Sequence, residues 1–596
     1  MLNLLIKYAQ SSGLVSEPGF NSKDVRWAIV CNANGQYQGI TELGDTQQKR
    51  NPGQEFRKCP ELSQPEMMRG GEGCRHFLVD NAEVVALYGD KANDPKVIAK
   101  HDYFVNLLRE ASKIMPELNA MAEMLITPEV LSKIQEDLKE KKARPTENIT
   151  FAVLYREPMY LVDDEAWHDW WRNFRQVLSE KRQVKEKSEA NTFMRCLASG
   201  EMVKPVPTHP KIKGLSDVGG LSMGTALVSF DKDSFCSYGL TQSENAAVSE
   251  EIASSYRTGL NHLIEHHSRR LAGAKVVHWY AGKVPPESDP INILEKGLSF
   301  LDDFSDTDTE EREAQNRAQQ LLESLRTGKL ADLADYSYYA LTLSGASGRV
   351  MIRDWMEGRF EELAVNIANW FEDLKIIRRD GDGLAKPPKF MAVLGGLVRD
   401  LKDLPAPLVT KMWRVAVKNE PIPQQALSCA LARVKVDVIK DEPANHARIG
   451  LIKAYHLRKK GGDQMKPYLN EEHPHPAYHC GRLMAVLADL QYSALGDVGA
   501  GVVQRYYAAA STTPALVLGR LTRTSQFHLN KLEGGLAYWY EGRIAPIWGR
   551  IKDCLPKTLT LEEQSLFALG YYQQKAAKKG NVVENSQNIT KEDKDE

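Results

Sequence analysis

The stretch from Val25 to Ile40, VRWAIVCNANGQYQGI, sets two β-rich runs on either side of Asn34-Gly35. An Asn-Gly pair accepts positive φ cheaply, so the segment predicts a β-hairpin closed by a type I′ turn. Upstream, MLNLLIKYAQSSG is apolar at Leu2, Leu5 and Ile6 and predicts a short amphipathic helix. Downstream, GEGCRHFLVDNAEVVALYG (71–89) reads as a further strand bounded by glycine. A charged helical run then ends at Pro145, and ITFAVLYR (149–156) reads as a strand. The first third therefore mixes strands and helices.

Further along, Ser249 followed by Glu250 and Glu251 is an N-cap signal, and Ile252, Tyr256, Leu260 and Leu263/Ile264 recur at helical spacing. AKVVHWYAG (274–282) is the last strand that the pattern marks. DDFSDTDTEER (302–312) is expected to be an acidic linker, and almost everything beyond it reads as helical, with breaks near 381–388, 405–407, 419–423 and 461–476. The expected architecture is an α+β N-terminal region over 1–300, followed by predominantly α-helical regions. These comprise a helical region over 301–460, a C-terminal helical bundle over 461–580 and a polar tail over 581–596.

The 596 residues are 42% hydrophobic and 26% charged, ordinary values for a folded chain with ample core. Net charge is −2, so any nucleic-acid-binding surface must be local. Eight scattered cysteines form no C-x-x-C pair, which argues for free thiols in a reducing compartment. No apolar run reaches the roughly 20 residues of a membrane span, and the apolar start is too short for a secretory signal. A cytoplasmic protein without membrane contact is expected.

Catalytic constellations are sparse. Gly282-Lys283 lacks the first glycine of a phosphate-binding loop, no G-x-S-x-G occurs, and His101-Asp102 and His168-Asp169 are lone dipeptides. The acidic run 302–312 lacks the mid-loop glycine of a calcium loop. RDGDG (379–383) reads as a turn. His473, His475, His479 and Cys480 crowd eight positions, as a metal site would, yet two of the histidines precede proline and no second ligand pair lies near. A polar loop leading into a helix is the simpler reading. No catalytic residue, metal or cofactor is expected, and the chain reads as a binding or scaffold protein.

Three local features suit nucleic acid. In MMRGGEGCRHF, Arg69 and Arg75 bracket Gly70, Gly71 and Gly73, where backbone N–H groups and guanidinium donors can meet phosphate or a groove edge. In PKIKGLSDVGGLSMG, Lys211 and Lys213 precede Gly219, Gly220 and Ser222, a combination suited to a loop lying on a duplex. In TPALVLGRLTRTSQFHLNKLEGGL, Leu518, Leu521, Ser525, Leu529 and Leu532 form one stripe, opposite Arg520, Arg523, Phe527 and Lys531. Cations around an aromatic suit a single strand, whose bases can stack.

Several segments together resemble one family. They are VRWAIVCNANGQYQGI with FLVDNAEVV, then LVSFDKDSFCSYGLTQSENAAVSEEIASSYRTGLNHLI and VVHWYAGK. YYALTLSGASGRVMIRDWMEGRFEELAVNIANWFEDL, HPAYHCGRLMAVL, LTRTSQFHLNKLEGGLAYWYEGRI and LTLEEQSLFALGYYQQK follow in order. By these blocks the chain resembles the large subunit of type I-C CRISPR surveillance complexes (Cascade). The resemblance implies a non-enzymatic DNA-targeting subunit. Such a subunit recognises a short duplex motif beside the target, aids unwinding, holds the displaced non-target strand and helps recruit a helicase-nuclease. Its implied partners are the guide-RNA-containing complex with its backbone and guide-end subunits, target double-stranded DNA, the displaced strand, a small helical subunit and the trans-acting helicase-nuclease. Two other readings remain open: a metal-dependent nuclease using His473, His475 and His479, or a purely structural subunit.

The resemblance also bears on Gly461-Gly462-Asp463-Gln464-Met465. Type I-C relatives make their small subunit from inside the large-subunit gene. Here Gly462-Asp463 can be encoded GGA-GAC, placing GGAG five nucleotides before the Met465 codon. Met465 is thus expected to be an internal translation start giving a product of 132 residues; Met484 is weaker because it cuts into a helix.

Overall fold

Trp27, Ala28, Ile29, Val30 and Cys31 are buried in succession, because the strand Trp27–Asn32 lies inside a sheet covered on both faces. On one side it pairs antiparallel with Tyr37–Glu42, with Ile29 opposite Ile40. On the other it runs parallel to Asn148–Leu154, with Ile29 opposite Phe151. Phe104, on the helix Pro95–Ala111, stacks on Phe151 at 6.2 Å and covers one face. The structure, a computed structural model, describes residues 1–14, 17–45, 51–180, 193–230, 232–295, 307–327, 329–442, 444–459 and 465–592. No helix among the described residues is long and apolar enough to cross a membrane.

The first hairpin forms, but not through a type I′ turn. Gly35 alone in the loop has positive φ (77°), and the Asn32 carboxamide oxygen accepts the N–H groups of Asn34 (3.0 Å) and Gln36 (2.9 Å). That side-chain acceptor widens the loop and shifts the register at Val30/Cys31. A two-residue turn with both φ positive does occur, at Ser347-Gly348 (47° and 86°), joining Ser337–Ala346 to Arg349–Arg359. These two long strands overturn the expectation that 274–282 is the last strand, while the rest of the chain beyond them is mostly helical as expected. The strand expected over 71–89 shrinks to Asp80–Asn81, because the Asn81 side chain caps the helix Ala82–Val85 by accepting the Val84 N–H. The acidic run also departs from a linker: Thr307–Arg326 is helical, while 302–306 lie outside the described residues.

The chain divides into two compact units, Met1–His267 with Gly345–Met351, and Ser268–Ser344 with Ile352–Glu596. In the first, the sheet is flanked by an aromatic core of Phe20, Phe77, Trp167 and Trp171. The helix Glu250–His266 is capped by Ser249, whose hydroxyl accepts the Ile252 N–H. It packs against Leu2–Ser11 so closely that a Cβ at Gly259 would lie 2.6 Å from the Leu5 carbonyl oxygen.

In the second unit, Ala274–Tyr280 pairs antiparallel with Ser337–Ala346 and with Ser268–Leu271. One apolar core continues from Leu271 to Ala576. Its centre is the helix Pro476–Leu495, in which every residue from Ala477 to Ala488 is buried. It crosses Leu561–Glu592 at two glycines. A Cβ at Gly481 would overlap the Phe567 carbonyl, and one at Gly570 would overlap the Tyr478 carbonyl. Backbone atoms, unlike a flexible side chain, cannot step aside without parting the helices. Gly570→Ala is therefore expected to destabilise the fold by about 1–3 kcal/mol, read as a lowered urea midpoint; an unchanged midpoint would mean that the helices slide apart freely.

Candidate nucleic-acid interface

Lys211 and Ile212 pair antiparallel with Ala226 and Thr225. Ile212 is buried, so strand alternation turns Lys211 and Lys213 out to solvent on either side of it. The Lys213 backbone N–H is tied to Asn261 Oδ1 at 3.0 Å. Beyond it, Gly219 has φ +88° and a Cβ there would lie 2.8 Å from the Gly345 carbonyl oxygen, while one at Gly345 would overlap Gly220 N. These glycines permit backbone-to-backbone packing and hold the loop firm. The tip, Leu221-Ser222-Met223, is closed by Gly224 N–H to Leu221 O (3.0 Å) and by Leu221 N–H to Thr225 Oγ1 (3.1 Å). All three tip side chains are exposed, Met223 by 81%.

Arg69 ends the short helix Gln64–Arg69, which Ser63 and Glu66 cap reciprocally. Its Nε is buried without a hydrogen bond. Gly70 is required by packing, since a Cβ would overlap Cys74 Sγ, whereas Gly71 (φ +85°) stands in open space. Arg75 is half-buried, with Nε 4.0 Å from Asp80 Oδ2. Burial pushes the Asp80 carboxyl up, against the downward pull of Arg75. A phosphate must therefore compete with Asp80 for this guanidinium.

Arg75 and Lys213, one from each cluster and far apart in sequence, both act on His76. His76 accepts the Leu62 N–H through Nδ1 at 3.0 Å. Burial holds its pKa well below the ordinary value, and Lys23, Arg75 and Lys213 push the same way while Glu61 opposes them. Burial would raise Glu61, but Arg257 at 2.7 Å, with Lys23 and Lys213, holds it at about 2. Lys23, Arg75, Lys213 and Arg257 thus form one cationic neighbourhood around the His76 imidazole and the carboxyl groups of Glu61 and Asp80.

In the second unit, Pro514–Leu529 buries Leu518, Leu521, Ser525 and Leu529 and exposes Arg520, Arg523 and Phe527, the last by 71%. The helix stops short of the run expected from the sequence. Asn530 takes the C-cap, Lys531 lies exposed in the turn, Leu532 is half-buried, and a new helix, Gly534–Ile551, follows Glu533. Trp548 Nε1–H donates to Thr522 Oγ1 at 3.2 Å and joins the two helices.

The histidine cluster builds a turn. His473 stacks on Tyr478 at 4.4 Å, and its Nδ1 accepts the His475 N–H. His475 Nδ1 accepts the Ala477 N–H and so caps Pro476–Leu495. His479 Nε2–H donates to the His473 carbonyl (2.7 Å), while its Nδ1 accepts from Arg482 Nη1 (3.2 Å). Burial lowers the His479 pKa and raises the Cys480 thiol to about 12. Among the described residues no three His, Cys, Asp or Glu side chains are arranged to hold a metal ion. His101 and His168 are also core residues; His101 Nδ1 meets the Val84 carbonyl at 3.0 Å, and His168 packs against Trp167 and Phe20. Gly461–Gln464 lie outside the described residues, and Met465 is buried.

Sequence reasoning passed over Arg349, whose guanidinium sits 4.9 Å from the ring of half-exposed Phe235 in the first unit. It also passed over Tyr538, Trp539 and Arg543 on Gly534–Ile551. The available signal was an aromatic triplet followed, one helical turn later, by arginine. No curated protein matches the chain significantly. A family model, described as CRISPR-associated protein (Cas_Csd1), matches residues 5–578. With nearly the whole length covered, the chain belongs to the Cas_Csd1 family, the large subunits of type I-C CRISPR surveillance complexes.

Proposed function

We propose that the chain is the non-catalytic DNA-targeting subunit of its complex. On this reading the first unit recognises a short duplex motif beside the target and aids its opening. The C-terminal helices hold the displaced strand, and the assembled surface helps recruit a helicase-nuclease. The observation that carries the reading is the loop at 211–224, where Lys211 and Lys213 stand exposed beside a firm tip anchored by Gly219 and Gly220 on Gly345. A preorganised cationic loop loses little conformational freedom on meeting phosphate. Arg69, Gly70, Gly71, Arg75 and Ser222 are the proposed neighbouring duplex contacts.

Charge reversal, Lys211→Glu with Lys213→Glu, is expected to weaken target binding by the assembled complex roughly ten- to a hundredfold. It should also reduce the salt slope by about two. Unchanged affinity and slope would remove the loop from the interface and favour a purely structural subunit. The nuclease reading would require His473, His475 and His479 to abandon the turn and cap that they build.

A further inference from the structure

Tyr538 and Trp539 stand near the start of Gly534–Ile551, exposed by 79% and 39%. One turn on, the Arg543 guanidinium lies 4.3 Å from the Trp539 ring centroid. Around them, a Cβ at Gly535, Gly542 or Gly549 would meet nothing within 4 Å, so no side chain among the described residues crowds these positions. Phe527 ends the preceding helix, exposed by 71%, with Arg520 and Arg523 exposed upstream and Lys531 in the turn. Large aromatic groups are normally buried by the chain that carries them. Here all three are exposed, with Arg523 and Lys531 four residues on either side of Phe527 and Arg543 over Trp539.

We infer that Phe527, Tyr538 and Trp539 form a base-stacking platform for single-stranded nucleic acid, with Arg520, Arg523, Lys531 and Arg543 meeting its phosphates. The inference rests on the strand-holding role proposed above and extends it, because a phosphate grip alone takes no account of bases. A cationic surface with interleaved aromatics matches a polyanion that presents unpaired rings. An apolar protein surface would leave the arginines facing carbon. Arg543 over Trp539 orients the indole and supplies charge where a sugar-phosphate backbone would pass.

The test is fluorescence anisotropy on the full chain with two labelled strands of equal length, oligo-dT and the same backbone without bases. Oligo-dT is expected to bind roughly tenfold tighter or better, with both strands showing the same salt slope. Trp539→Ala with Tyr538→Ala should bring oligo-dT down to the abasic affinity and leave abasic binding unchanged. Trp539→Phe should restore much of the difference, and an unchanged melting temperature establishes that the variants fold. Arg520→Glu with Arg523→Glu should weaken both strands alike. Equal affinity of the two strands for the native chain overturns the platform while leaving the phosphate grip standing; failure of both strands to bind overturns both readings. If Trp539→Ala impairs assembly with the complex but not strand binding, the face is a protein interface and the inference falls.

Discussion

Raising salt from about 50 to about 200 mM is expected to weaken DNA binding by on the order of a thousandfold, if five or six phosphates are neutralised. The expectation is steep for a chain whose net charge is −2, and its force comes from localisation. Lys23, Arg75, Lys213 and Arg257 gather around Glu61, Asp80 and His76 in the first unit. Exposed Arg520, Arg523 and Lys531 line one helix and its following turn in the second. Arg75 and Arg257 are partly spent on Asp80 and Glu61, so the count rests chiefly on the exposed lysines and the helix arginines. Affinity measured across a salt series, with the assembled complex and target duplex, gives the slope. The Lys211/Lys213 double reversal should lower that slope by about two and leave the remainder to other cations. A slope near zero for the native complex would mean that phosphate contact is not what holds the duplex.

Local chemistry explains which parts of this molecule the sequence made legible. Ser249 announces its helix because a hydroxyl accepting the Ile252 N–H is a short-range bond, encoded three residues apart. The helix Pro514–Leu529 was legible because one stripe is apolar and the opposite one cationic. The strands Ser337–Ala346 and Arg349–Arg359 were missed although Tyr338, Tyr339, Thr342, Val350, Ile352 and Trp355 all favour a strand. A search for helical period passes over a two-residue Ser-Gly turn. Nor could sequence show that Gly219 and Gly220 meet Gly345, more than a hundred residues away. A glycine pair reads as slack until the chain that crosses it is known. Arg75 failed in the opposite direction: its charge was legible, but its buried partner Asp80 was not. The histidine turn was read correctly as a loop leading into a helix, because proline after His473 and His475 limits the backbone before it.

Synonymous recoding of Gly461–Gln464 is expected to abolish a product of about 15 kDa while leaving the full-length chain in place. The packing favours Met465 over Met484 as its first residue. The crossing that organises the C-terminal helices is made by Gly481 and Gly570, and both lie within 465–596. A start at Met465 keeps the histidine turn, its cap on Pro476–Leu495 and the whole crossing. A start at Met484 discards Gly481, Tyr478 and the cap, and leaves Leu561–Glu592 without the first eight residues of its partner helix. Even the longer product loses contacts on one flank: Ser565 meets His456 at 2.7 Å, Glu562 meets Tyr455 at 2.9 Å, and Gln564 meets Lys435 at 2.8 Å. Made alone, it would expose that flank to water and to partners, which fits a small subunit that works inside an assembly. Immunoblotting with an antibody to the C-terminal helices follows both bands. Persistence of the smaller band after recoding would end the case for Met465, and its loss only on Met484→Leu would move the start into the helix despite the broken crossing.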